Sequence, residues 1–268
     1  MNRKLKALAL TTCTMLALQS FALTWTSPNQ PDENTIALFR FDEGEGNVTR
    51  STDGEIIFNL SNYAEWEAGP GWMQSPEGAY LRGTEDIGDK DYAAESARQN
   101  VMDWSLPAIT VSFWFKDNVK REQENKIVNM SYKDWRGKQM WFGYRPGWGS
   151  SASRLLFAGT GLADNYWDWQ LLTDGDWHHI AWVSVRNETG RTTLKYFIDN
   201  VQKKFTVEGD QVDSITFTPA DTSAVTEFWN LLHGCAGCID ELLIQGSEIT
   251  DFSNGYNSVD MTTLITIR

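Results

Sequence analysis

The sequence predicts an all-β protein built as an antiparallel two-sheet β-sandwich. From residue 35 onward, short apolar runs alternate with polar residues at a period of two and are punctuated by Gly, Asn and Asp. No stretch holds a helical period. Between His179 and Phe205 the chain reads strand, turn, strand, turn, strand, with Asn187-Glu188-Thr189-Gly190 and Asp199-Asn200 at the turns, residues that tolerate the left-handed backbone of tight hairpins.

The elements follow in order. Residues 23–34, with Pro28 and Pro31, form a short extended leader. The clearest strands are Ile36–Phe41, Ile109–Phe115, His179–Val185, Leu194–Ile198 and Ile239–Ile244. In the second, Ile109, Val111, Phe113 and Phe115 alternate with Thr110, Ser112, Trp114 and Lys116, which puts one set on a buried face and the other outward and predicts a half-buried sheet. Residues 35–252 make one domain, a normal size for a single all-β core. Residues 253–268 are a C-terminal tail in which Met261–Ile267 is β-prone, either an edge strand or a frayed end.

The start of the chain indicates export. Arg3, Lys4 and Lys6 precede an apolar run from Ala7 to Leu18 that is too short to span a bilayer, and Ser20-Phe21-Ala22 offers small residues for cleavage after Ala22. Residues 1–22 therefore read as a signal peptide, carrying Cys13 away with them, and the mature protein is expected to be secreted or held at the cell surface without a membrane span. The net charge of −13 becomes more negative once those three basic residues are removed. Lacking a dense Lys/Arg cluster, the chain is not expected to bind nucleic acid, because a phosphate-backbone binder needs a basic face. The acidic surplus suits either solubility or bound calcium.

Four landmarks then occur in a fixed order: Ala37-Leu38-Phe39-Arg40-Phe41-Asp42-Glu43-Gly44-Glu45-Gly46 followed by Asp53-Gly54; Ile109 to Phe115; Asp176-Trp177-His178-His179-Ile180-Ala181-Trp182 continuing to Tyr196-Phe197-Ile198-Asp199-Asn200; and Gly237-Cys238-Ile239-Asp240-Glu241-Leu242-Leu243-Ile244. Together they resemble the LamG-like jelly-roll family of the concanavalin A-like lectin and glucanase superfamily, over residues 35–252. The family often has Gly where this chain has Asn200. The resemblance implies a concanavalin A-like jelly roll but leaves function open, since the architecture carries sugar binding, adhesion, protein recognition and hydrolysis alike. It also implies a structural calcium ion between the opening and closing strands, at positions matching Asp42, Glu43 and Asp240. Without an ion, Asp42 would cap a turn and Asp240 would pair with a backbone amide.

Catalysis is not expected. The glucanases of this superfamily carry Glu-x-Asp-x-x-Glu or Glu-x-Asp-x-Glu on one strand, and neither occurs here. The nearest pattern, Glu208-Gly209-Asp210-Gln211-Val212-Asp213, contains an internal Gly, ends in Asp and reads as a solvated connection. His178 and His179, adjacent on a strand, point to opposite faces and cannot share one ion, so His178 reads as a hydrogen-bonded structural histidine. Cys235-Ala236-Gly237-Cys238 has a redox reading, but in an exported β-protein a tight structural disulfide is expected, and a zinc site lacks a second Cys pair.

The remaining signal is tryptophan, thirteen in all, dense between Tyr132 and Trp169 among Gly, Asp, Asn, Arg and Ser. Flat rings cover the C–H faces of pyranoses while polar neighbours bond the hydroxyls, so Trp135, Trp141, Tyr144, Trp148, Trp167 and Trp169 are the candidate ligand-binding residues. Trp148 and Trp167 read as loop residues, whereas Trp114, Trp177 and Trp182 read as core. The expected function is non-catalytic carbohydrate binding or adhesion, with a polysaccharide or glycoconjugate as partner. The alternatives are a glycoside hydrolase or polysaccharide lyase acting through Glu208, Asp210 and Asp213, and a surface protein using aromatic loops as hot spots for a protein partner.

Overall fold

A computed structural model of the chain describes residues 24–25, 29–69, 78–84, 87, 91–96, 106–116, 125–132, 139–146, 153–159, 162–168, 174–207, 210–217, 226–252 and 256–257. Residues 1–22, with Cys13, and Trp135, Trp148, Trp169, Glu208 and the stretch Met261–Ile267 lie outside the described residues.

The strands in chain order are β1 (Thr24–Trp25), β2 (Thr35–Phe39), β3 (Val48–Arg50), β4 (Ile57–Leu60), β5 (Ala64–Ala68), β6 (Ala79–Gly83), β7 (Ala94–Ser96), β8 (Ala108–Lys116), β9 (Asn125–Tyr132), β10 (Gln139–Pro146) and β11 (Ser153–Gly159). They continue with β12 (Leu162–Asp168), β13 (His178–Arg186), β14 (Thr192–Ile198), β15 (Val201–Gln202), β16 (Phe205–Val207), β17 (Asp210–Val212), β18 (Ile215–Phe217), β19 (Thr226–His233), β20 (Cys238–Gln245) and β21 (Tyr256–Asn257). No helix occurs among the described residues, so none is long and apolar enough to cross a membrane.

These strands form two large antiparallel sheets. A ten-stranded sheet runs β17-β16-β12-β11-β10-β9-β19-β7-β4-β3, and a nine-stranded sheet runs β15-β14-β13-β8-β20-β6-β5, with β18 beside β14 and β2 beside β20. One shared core fills the space between them: Phe58, Ala94, Val128 and Leu231 of the first sheet meet Phe39, Val111, Phe113, Trp182, Tyr196 and Ile244 of the second. Phe39 meets Phe58 edge-on across the layers, with centroids 4.9 Å apart at 68°. Such a pair adds about 0.5–1.5 kcal/mol to the burial of its rings. The protein is therefore an all-β, antiparallel two-sheet sandwich. The five strands read from the sequence correspond to β2, β8, β13, β14 and β20.

Turn chemistry follows the sequence closely. Asp199 and Asn200 take φ values of 51° and 60° in the two-residue loop between Ile198 and Val201, the pair of positive angles that a type I′ hairpin requires. At the other turn the Asn187 side-chain oxygen accepts from the amides of Thr189 and Arg191 while Gly190 holds φ at 79°.

The half-buried sheet expected around β8 needs correction. Residues 108–115 are all buried, because a segment near the C-terminus lies over the outer face of the nine-stranded sheet. The Thr110 hydroxyl donates to the Ser247 carbonyl at 2.7 Å and accepts from the Ile249 amide at 3.0 Å, and Phe252 packs with Ala181, Val183 and Phe197. Sequence alternation cannot show this cover, since Thr and Ser read as solvent-facing until another segment satisfies their hydroxyls.

Candidate ligand-binding face

The antiparallel meander β9–β10–β11–β12 carries the aromatic-rich stretch. Trp141 and Tyr144 belong to β10, and Tyr166 and Trp167 to β12. Trp167 is thus a strand residue, correcting the loop reading: Gly and Asn neighbours mimic loop composition, while Tyr and Trp favour pleated backbone.

Register sorts these positions by face. Phe142 is opposite Val128, which is fully buried in the core, so the row Leu60–Ala94–Leu231–Val128–Phe142–Phe157 is the inward one. Two residues along β10, Tyr144 joins Leu155 and Trp167 in a second inward row. Trp141 belongs to the outward set, opposite Asn129 and Ala158, and the next outward row is Gly143–Leu156–Tyr166. The candidates therefore do not form one group: Trp141 falls on the outer face, and Tyr144 and Trp167 on the inner one.

The outward row through Trp141 crosses most of the sheet. From β3 to β11 it reads Val48, Asn59, Glu95, Asn230, Asn129, Trp141 and Ala158. Asn59 is exposed and Glu95 half-buried. The Tyr92 hydroxyl donates to the Glu95 carboxylate, which together with burial pushes the phenol up to about 12. Asn230 is only 4% exposed, and its side-chain oxygen has no hydrogen-bond partner. Asn59, Glu95 and Asn230 lie far apart in sequence, and the only sign of them is a polar residue between two apolar ones in Phe58-Asn59-Leu60 and Trp229-Asn230-Leu231.

The expected calcium positions do not converge. Glu43 Oε1 accepts from the Thr49 hydroxyl at 2.8 Å and the Arg50 amide at 3.0 Å, which binds it to β3. Asp240 Oδ1 accepts from the Glu241 amide at 2.9 Å. Among the described residues no group of three His, Cys, Asp or Glu side chains gathers as a metal site. Glu241, next to Asp240 in the closing strand, is a buried acid with its own partners. Its carboxylate, 4% exposed, meets the Arg40 guanidinium at 2.9 Å and the Asn29 amide at 3.2 Å, so an arginine stands where a cation would be sought.

Cys235 and Cys238 are two buried thiols with no bridge between them, in place of the expected disulfide. Cys238 is fixed in the ladder opposite Arg82 and Lys116, whereas Cys235 follows the turn at Leu232 and Gly234, which both hold positive φ. The two histidines separate as expected. His178 Nδ1 lies 2.8 Å from Asp199 Oδ2 and its Nε2 lies 3.0 Å from Asp174 Oδ1, while His179 is buried beside Trp114 and Phe252 and driven down to about 3 by burial. Asp210 and Asp213 are exposed at the β16–β17 hairpin and beyond, and Asp213 lies 3.6 Å from Lys204.

Fold and register together define an all-β, two-sheet antiparallel sandwich whose larger sheet carries a polar row, with Trp141 in it, on its outer face. No protein-family model matches the chain, and no curated protein does. Among solved structures it is similar to Trypanosoma rangeli sialidase in complex with sialic acid, at 9% identity and a TM-score of 0.52, over 84% of this chain and 34% of that one. The same sialidase with the inhibitor DANA gives 10% identity and 0.52 over 82% and 32%. The binding domain of botulinum neurotoxin DC in complex with rat synaptotagmin II gives 12% identity and 0.44 over 81% and 49%. The chain thus spans about a third of the sialidase, and that likeness is one of fold.

Proposed function

We propose that this chain is an exported, non-catalytic, LamG-like binding module that holds carbohydrate on the outer face of its ten-stranded sheet, as a secreted or cell-surface protein. The observation that carries this reading is the placement of Trp141 on that face between Asn129 and Ala158, one row from Gly143–Leu156–Tyr166. An aromatic residue beside small ones suits the flat apolar side of a pyranose, and the neighbouring Asn suits its hydroxyls. The acidic pattern around Asp210 supports the non-catalytic part: Asp210 opens the edge strand β17 and Asp213 follows it, both exposed, with Asp213 3.6 Å from Lys204. Export follows from Arg3, Lys4, Lys6 and the apolar run to Leu18.

The test is a glycan array probed with the chain lacking residues 1–22, alongside Trp141→Ala and Tyr166→Ala. Binding that falls at least about tenfold in the Trp141 variant with the fold intact supports the reading, a loss typical of one stacked ring. Absence of any glycan binding by the unmodified chain contradicts it.

A further inference from the structure

Resting on the carbohydrate-binding reading, we infer that the outward row Asn59–Glu95–Asn230–Asn129–Trp141 is an extended subsite for a neutral, linear glycan lying across the strands. The central observation is the Asn230 side-chain oxygen. A buried carbonyl without a donor costs about 1–3 kcal/mol. Asn230 sits in β19 on the face turned away from the core, since its neighbour Leu231 is in the inward row. Asn230 is only 4% exposed and its oxygen is closed to solvent, so a donor from the outer side reaches it once the neighbouring side chains part, and a sugar hydroxyl is a donor of the right kind.

Its neighbours fit the same ligand. Glu95, opposite Asn230 on β7, accepts from the Tyr92 hydroxyl and keeps further lone pairs for hydroxyl donors. Asn59, opposite Glu95 on β4, is exposed and offers both a donor and an acceptor. From Asn59 to Trp141 the row crosses four strand spacings, about 19 Å, the reach of an oligomer and not of a single ring. The Glu95 carboxylate within it, in a chain of net charge −13, selects against uronate or sialate units and sets the ligand class as neutral.

The test is isothermal titration of the chain lacking residues 1–22 with cellohexaose, xylohexaose and mannohexaose as neutral probes, and with hexagalacturonate and sialyllactose as anionic ones. The variants are Asn230→Leu, Glu95→Gln and Asn59→Ala, each checked by thermal unfolding. Asn230→Leu is expected to keep or raise the unfolding midpoint, because it removes an orphaned acceptor, while weakening the neutral hexaose about tenfold, the loss of one net hydrogen bond. Glu95→Gln is expected to narrow the preference for neutral over anionic probes, a readout that a merely structural glutamate would not move. If the unmodified chain binds a neutral hexaose and both Asn230→Leu and Glu95→Gln bind it equally well, the row is refuted and the carbohydrate reading stands. A preference of the unmodified chain for the anionic probes refutes the neutral class alone. Failure of the unmodified chain to bind any probe overturns the carbohydrate reading and the row with it.

Discussion

Arg40 reaches across the β2–β20 seam to place its guanidinium 2.9 Å from the buried carboxylate of Glu241. Its second nitrogen donates to the Asn29 carbonyl at 2.8 Å, and Glu241 Oε2 accepts from the Asn29 amide at 3.2 Å. The pair thus ties the leader before β2 to the closing strand at a bulge where Glu241 holds φ at 49°.

A pH dependence follows from this seam. Burial pushes the Glu241 carboxyl up to about 7 from 4.5, with Arg40 and the Asn29 amide drawing it only partly back. A folded-state value above the unfolded one makes stability highest below the unfolded value and lets it decline as pH rises through the folded one. The expected decline is on the order of 3 kcal/mol. Urea unfolding at about pH 4.5 and about pH 8 measures it, and Glu241→Gln is expected to remove that part of the slope.

His178 moves stability in the same direction as Glu241, but through its ion partners and not through burial. Burial pulls its proton affinity down, but the carboxylates of Asp199 and Asp174 outweigh burial and raise it above the ordinary 6.5. The stabilisation is complete below the unfolded value and is lost as pH rises through the higher folded one. His178→Gln is expected to lower the unfolding midpoint at acidic pH and to leave it nearly unchanged well above neutrality. Thermal unfolding across that range checks it.

Two glycines carry close packing at the start of β20. A Cβ on Gly83 would lie 2.1 Å from the Cys235 carbonyl oxygen, and one on Gly237 would lie 2.5 Å from the Phe115 ring. Gly83→Ala meets backbone and is expected to cost roughly 1–3 kcal/mol or more, whereas Gly237→Ala meets a ring that can shift and should cost less. Chemical unfolding ranks the two, and an equal or reversed order would contradict the packing described.

Register also separates two tryptophans that composition treats alike. Trp167→Ala, in the inward row with Tyr144, is expected to lower stability by roughly 3–5 kcal/mol, the cost of removing a large ring from a core-facing row. Trp141→Ala is expected to spare stability and weaken glycan binding. Paired unfolding and binding curves for the two variants decide it.

The sandwich was legible because its signals are local: Ile109 to Phe115 alternate with period two, and Asp199-Asn200 specify a tight hairpin whatever surrounds them. The outer-face row was not legible, because Asn59, Glu95 and Asn230 meet only through the pairing of β4, β7 and β19. Composition picked out a stretch of tryptophans but could not assign faces, since a one-residue change of register turns every side chain over. The local partners of the acidic residues were hidden for a related reason: Glu43 accepts from the Arg50 amide across the turn and Asp240 from the Glu241 amide.

The central claim is that ligand lies on the outer face of the ten-stranded sheet. Hydrogen exchange of the chain lacking residues 1–22, measured with and without a saturating glycan from the array, tests it most directly. Added protection is predicted in peptides covering β4, β7, β19, β9 and β10. Protection confined to β13, β14 and the 247–252 segment, on the opposite sheet, would contradict the account.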